Sequence, residues 1–99
     1  MRAIYKEPYK DAEIRDIKNE LEELQSLVGG WIEHVGFVDG VGLIMNEEGR
    51  LRDMQPNFRY GWGSVLGPAI FVGEAGEDFT DITEEGIEKV MKFLDYHAF

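Results

Sequence analysis

Gly67-Pro-Ala-Ile-Phe-Val-Gly73 is the stretch on which the fold turns. Its four central residues, Ala69-Ile70-Phe71-Val72, are apolar without interruption, with Gly67-Pro68 before them and Gly73 after. A strand with one wetted face alternates apolar and polar residues, so an unbroken run of this length predicts a strand covered on both faces and central in its sheet. Pro68 has no N–H to give to a ladder and can stand only at the strand's start.

Upstream, Met1 to Tyr5 and Asp11 to Ile17 alternate with period two, the pattern of half-buried strands, and Glu7-Pro8-Tyr9-Lys10 connects them as a turn. Asn19 with Glu22 reads as a capping pair for a helix over residues 20–28, whose Leu21, Leu24, Leu27 and Val28 recur at helical spacing until Gly29-Gly30 stops it. Trp31 to Phe37 and Val41 to Met45 form a hairpin about Asp39-Gly40, a pair suited to a primed turn. Asn46-Glu47-Glu48-Gly49 offers a further turn before a shorter strand from Leu51 to Met54. Prolines and glycines break the pattern from Gln55 to Pro68, which reads as a loop despite Phe58, Tyr60 and Trp62.

Downstream, Asp81 or Thr83 caps the clearest helix. Glu84 and Glu85 lie in its first turn, and Ile87, Val90, Met91 and Leu94 fall on one face. Gly86 weakens this helix by about 1 kcal/mol relative to Ala, which packing of the stripe offsets. The expectation is a single domain over residues 1–99 of α+β class, with a mainly antiparallel sheet of about five to six strands and two helices.

Composition narrows the function. Hydrophobic residues at 43% and charged residues at 30% suit a chain that buries a core and folds unaided. Without cysteine there is no disulfide framework, thiolate metal site or thiol nucleophile, which points to a reducing compartment, the cytoplasm. No stretch approaches the roughly 20 apolar residues that span a bilayer, so neither secretion nor membrane insertion is expected. Twenty acidic against ten basic residues leave a net charge of −10, which repels nucleic acid and anionic lipid.

The chemistry-bearing residues are sparse. Ser26 and Ser64 lack an elbow motif. His34 reads as a surface or half-buried structural imidazole, and His97, near the end, as frayed. Glu33 and His34, adjacent on a strand, point to opposite faces and make a poor catalytic pair. No catalytic residue, cofactor or metal site is expected, and the chain is not expected to be an enzyme. Gly61-Trp62-Gly63 leads into a proline-bounded strand and not into a helix, so it is no phosphate loop.

Two surfaces remain. Phe58, Arg59, Tyr60 and Trp62 suit a clamp for a planar or phosphorylated ligand, and equally suit a loop anchored on the core. The window Gly73 to Glu88 holds Glu74, Glu77, Asp78, Asp81, Glu84, Glu85 and Glu88 with no basic residue. Glu84 and Glu88 are one helical turn apart, roughly 6 Å along the axis, near the spacing of successive phosphates on a DNA strand. Acids at a helix start also complement its dipole, which accounts for part of the cluster.

The segments Leu21 to Glu33, Asn46-Glu-Glu-Gly-Arg-Leu51, Pro56-Asn57, Gly67 to Gly73 and Ile82-Thr-Glu-Glu85 resemble, in that order, the domain of unknown function 3846 group. Val28-Gly-Gly-Trp-Ile-Glu33 is the most specific block. The resemblance implies a small protein of phages, plasmids and other mobile elements of Gram-positive bacteria, and it carries over no catalytic residues. Phe58 to Ser64 departs from the family's pattern. Charge and resemblance together lead to an accessory protein that occludes a basic surface of a host protein, expected to be a defence or nucleic-acid-handling factor in the bacterial cytoplasm, through its acidic edge. The alternative is a small-ligand or nucleotide-sequestering protein using Phe58 to Trp62, with a homo-oligomer open.

Overall fold

The computed structural model describes residues 1–99. In chain order the elements are β1 (Arg2–Lys6), β2 (Glu13–Asp16), α1 (Leu21–Val28), β3 (Ile32–Val38), β4 (Val41–Asn46), β5 (Pro56–Tyr60), β6 (Gly63–Leu66), β7 (Ala69–Ala75), β8 (Asp78–Thr80) and α2 (Glu84–His97). The protein is α+β: six strands form an antiparallel sheet in the order β2-β1-β7-β4-β3 with β8 also on β7, and β5 and β6 pair as a separate hairpin.

The apolar run is the centre of the sheet, as its composition predicts. Ile70 pairs with Tyr5 of β1 on one edge and Ile44 of β4 on the other. Gly73 pairs with Val41 of β4 and Thr80 of β8, so β8 occupies the same edge as β1 and carries the ladder past that strand's end. Alternation along β7 divides the core in two. Ala69 and Phe71 join Ile4, Leu43, Phe58, Val65 and the α2 residues Ile87, Val90 and Leu94. Ile70 and Val72 join Ala3, Tyr5, Ile44 and the α1 residues Leu24 and Val28. Three layers result: α1, the sheet, and α2 with the hairpin.

The remaining elements differ from the sequence reading in instructive ways. Gln55 to Pro68 is the β5–β6 hairpin and not a loop. Pro56 opens its first strand, where a missing N–H is tolerated, and Gly61 takes a φ of 60° at the first position of a two-residue turn. The punctuating residues mark strand ends, and Phe58 and Val65 between them are buried. Leu51 to Met54 is no strand. Arg52 N donates to the Glu48 carbonyl and Met54 N to that of Gly49, coiling the chain, while Asp53 takes a φ of 51° that short polar residues tolerate. Leu51 is left exposed, whereas Met54 packs over Gly29 and Gly67.

Strand β2, at the sheet's edge, is exposed along its whole length, and burial resumes at Ile17. The Asn19–Glu22 capping pair does not form: Glu20 is the N-cap, without a side-chain bond, and Asn19 Nδ2 donates to the Phe79 carbonyl. Gly29 ends α1 at φ 83°, as expected. Thr83 caps α2, accepting from Gly86 N at 3.0 Å. His97 does not fray, since its Nδ1 donates to the Phe93 carbonyl at 2.8 Å and its ring stacks on Phe93.

At Gly73 a Cβ would lie 2.2 Å from the Asp81 carbonyl oxygen, a backbone atom fixed by the β7–β8 pairing and the entry to α2. Gly73→Ala should therefore cost about 1–3 kcal/mol or more through overpacking, read as a lowered urea midpoint at unchanged m-value. An unchanged midpoint would mean that β8 yields easily.

Candidate functional site

The seven carboxylates of the acidic window do not stay together. Glu74 shares the side of Ile70 and Val72 on β7, the α1 face, and its Oε2 meets His34 Nε2. Phe79 stands edge-on to the same imidazole, with centroids 4.8 Å apart. Because β3 is followed by a tight hairpin, His34 reaches across Gly42, where any Cβ would crowd both His34 and Glu74.

The other six, Glu77, Asp78, Asp81, Glu84, Glu85 and Glu88, are all exposed and follow one path, from the β7–β8 turn into the start of α2. Arg2 organises two of them: its backbone N donates to Asp81 Oδ1 at 2.7 Å, and its Nη1 pairs with Glu84 Oε1. Glu85 pairs with Lys89 one turn along, at 3.1 Å. Glu77, Asp78 and Glu88 have no cationic partner within ion-pair distance. Exposed pairs of this kind contribute at most about 1 kcal/mol each and leave the field largely negative.

The aromatic segment does not assemble as a clamp. Phe58 is wholly buried and tilted against Phe71, so no ligand reaches it. Tyr60 stacks on Phe37 and donates to the Gly36 carbonyl at 3.2 Å, which fastens the hairpin to β3. Arg59 lies 6.0 Å over the Phe99 ring. Trp62, in the hairpin turn, is fully exposed. Alternation along β5 separates Phe58 and Tyr60 from Arg59, and none of the cavities is lined by any of the four residues.

Sequence reasoning passed over a buried polar group. Asn57, fully buried at the bulge of β5, donates from Nδ2 to the carbonyls of Lys6 and Gly67 at 2.8 and 2.9 Å. Its Oδ1 accepts from Lys6 Nζ at 2.9 Å, and that amine also donates to the Glu7 carbonyl at 2.6 Å. Burial holds the Lys6 amine below its ordinary range, against the opposing pull of Asp11. Burial, followed by the Glu7 charge, pushes the Tyr5 hydroxyl up. Two signals were available: parity, since Lys6 follows Ile4 by two, and the Pro56-Asn57 segment of the family resemblance.

The Val28 to Glu33 block also has a structural explanation. Asn46 Nδ2 donates to the Val28 carbonyl at 3.1 Å and Arg52 Nη1 to that of Gly29 at 2.6 Å, filling two of the carbonyls left open where α1 ends. A Cβ at Gly30 would stand 2.8 Å from that guanidinium nitrogen and 3.0 Å from the Asn46 amide.

These features define the class: a small acidic α+β protein whose antiparallel sheet lies between a short helix and a helix-plus-hairpin layer. No group of three or more His, Cys, Asp or Glu is placed to hold a metal, and no helix is long and apolar enough to cross a membrane. The chain belongs to the family described as a domain of unknown function (DUF3846), whose model matches residues 1–95. No curated protein and no solved structure matches it.

Asn57→Ala strands two carbonyls and removes one of two acceptors from a buried amine, so it should cost roughly 2–4 kcal/mol in denaturant unfolding. A pH series of the same measurement tests Lys6. The folded amine releases its proton below the unfolded value of 10.5. Between those two points the unfolded state binds more protons and stability rises with pH. The wild type should therefore gain on Lys6→Met as pH climbs from about 7 toward that limit. Tyr5, common to both proteins, cancels. Parallel pH profiles would contradict the depressed value.

Proposed function

We propose that this chain is an accessory protein, encoded by a phage or another mobile element, that binds and occludes a basic surface of a host protein in the bacterial cytoplasm. The observation that carries the reading is the run of six exposed carboxylates from Glu77 to Glu88, against which only Arg2 and Lys89 form ion pairs. On α2, Glu84 and Glu88 are one helical turn apart, roughly 6 Å, within the Debye length of about 8 Å at physiological salt, so these two act on a partner as one field. A groove built from Lys and Arg to hold phosphates is the surface such a field complements, and occupation of it excludes nucleic acid. Steering by the field raises the association rate and disfavours acidic partners. Glu74, held against His34 on the other face, is no part of the binding strip in this reading.

The test separates this role from simple solubility. Glu77→Gln, Asp78→Asn and Glu88→Gln together remove three charges and leave the Arg2 and Lys89 pairs intact. Against a partner recovered from the host, the triple variant should bind at least about tenfold more weakly, chiefly through slower association, and wild-type binding should fall steeply with added salt. Labelled DNA should compete with the wild type for that partner. Affinity indifferent to salt and to all three substitutions would reject the reading.

A further inference from the structure

Lys6 is unlike the other four lysines of the chain. It is 3% exposed, and no carboxylate lies within ion-pair distance of its amine. Its two partners are neutral carbonyl oxygens, those of Glu7 and the Asn57 side chain. An ammonium has three donors to satisfy, whereas a neutral amine has two and a lone pair. Two acceptors complete the neutral form and leave the ammonium one short. A buried charge without a counter-ion is also the costlier occupant of such a site.

The same residue forms part of the wall of an open cleft of about 330 Å³, together with Tyr9, Lys10, Asp11, Met91, Asp95 and others. Its apolar lining comes from Tyr9 and Ala12 of the β1–β2 connection and from α2 with the chain after it, and Tyr9 holds a φ of 61°, a left-handed backbone uncommon for an aromatic residue. The charged groups facing the cleft are Lys10 and Asp11 from the β1–β2 connection and Asp95 from α2. Lys10 is engaged by Glu7 at 2.9 Å.

We propose that Lys6 is a nucleophilic amine and that the cleft admits small, neutral, apolar aldehydes or ketones, which it captures as imines. The nitrogen lone pair adds to the carbonyl carbon as the carbon–oxygen π bond opens. Both amine protons then leave with that oxygen as water, while the carbon–nitrogen double bond forms, so neither oxidant nor reductant is required. A neutral carbonyl compound suits a chain of net charge −10 better than an anionic one, which the overall field repels. Burial keeps more of this amine unprotonated near neutral pH than an exposed lysine achieves.

Reductive alkylation tests the assignment on the unmodified protein. The folded chain is treated near pH 7.5 with propanal and cyanoborohydride, digested, and alkylation at each lysine is followed by mass spectrometry. Lys6 should react at least about fivefold faster than Lys10, Lys18, Lys89 and Lys92, and the preference should vanish in denaturing urea. An aldehyde too bulky for the cleft should lose the preference in the folded protein too. Lys6 reacting no faster than the exposed lysines in the folded state, or the same preference persisting in urea, would overturn the proposal.

Discussion

Pairing along both edges of β7, combined with burial of both its faces, is the constraint from which the other elements follow. A strand so placed can expose no polar side chain over Ala69 to Val72, and each flanking strand must supply backbone partners for one of its edges. Alternating side chains then require two separate covers. Leu24 and Val28 of α1 are enough for Ile70 and Val72, while the larger Phe71 needs α2 and Phe58 of the hairpin. At Gly73 the Asp81 carbonyl, just past β8, approaches so closely that no side chain fits.

The hairpin depends on a second, polar tie. Phe58 and Val65 bury its inner face, but apolar contact is non-directional and would tolerate sliding. Asn57 removes that freedom, since its amide reaches β1 through the Lys6 carbonyl and the end of the hairpin through Gly67. Tyr60 fastens the other end to β3. The Pro56-Asn57 segment is thus a joint between layers, just as Gly30 and Asn46 form the joint between α1 and the sheet. These motifs are accounted for by folding, and none needs a ligand to explain it.

Legibility in the sequence followed the range of the interactions. Period and punctuation revealed β7, the β3–β4 hairpin, α1 and α2, because each is specified by neighbours a few residues away. Thr83 and Gly29 behaved as local caps for the same reason. The hairpin was hidden since its glycines and prolines carry the same local signature whether they end strands or fill a loop, and only the core that receives Phe58 decides between them. Asn19 was misassigned because a bond to Phe79, sixty residues away, displaced a local cap. Of the candidate site, the carboxylates of the strip were readable as composition. Separation of Glu74 from the rest depends on strand parity together with His34, forty residues distant, and the Lys6–Asn57 contact spans fifty-one.

Strand β1 relates the two sites. Arg2 at its start gathers Asp81 and Glu84 of the acidic strip, and Lys6 at its end lines the cleft. Four residue steps of about 3.3 Å separate them by roughly 13 Å, beyond the Debye length of about 8 Å at physiological salt. Helix α2 repeats the arrangement, with Glu84, Glu85 and Glu88 at the strip and Met91, Leu94 and Asp95 at the cleft. Solvent-exposed charges at one end are therefore largely screened from the other. That separation lets a buried amine be set by desolvation, a local effect, on a protein whose outer surface is strongly negative. Had the strip lain beside Lys6, its carboxylates would have drawn the amine toward the charged form, and the neutral pair of carbonyl partners would have been the wrong complement.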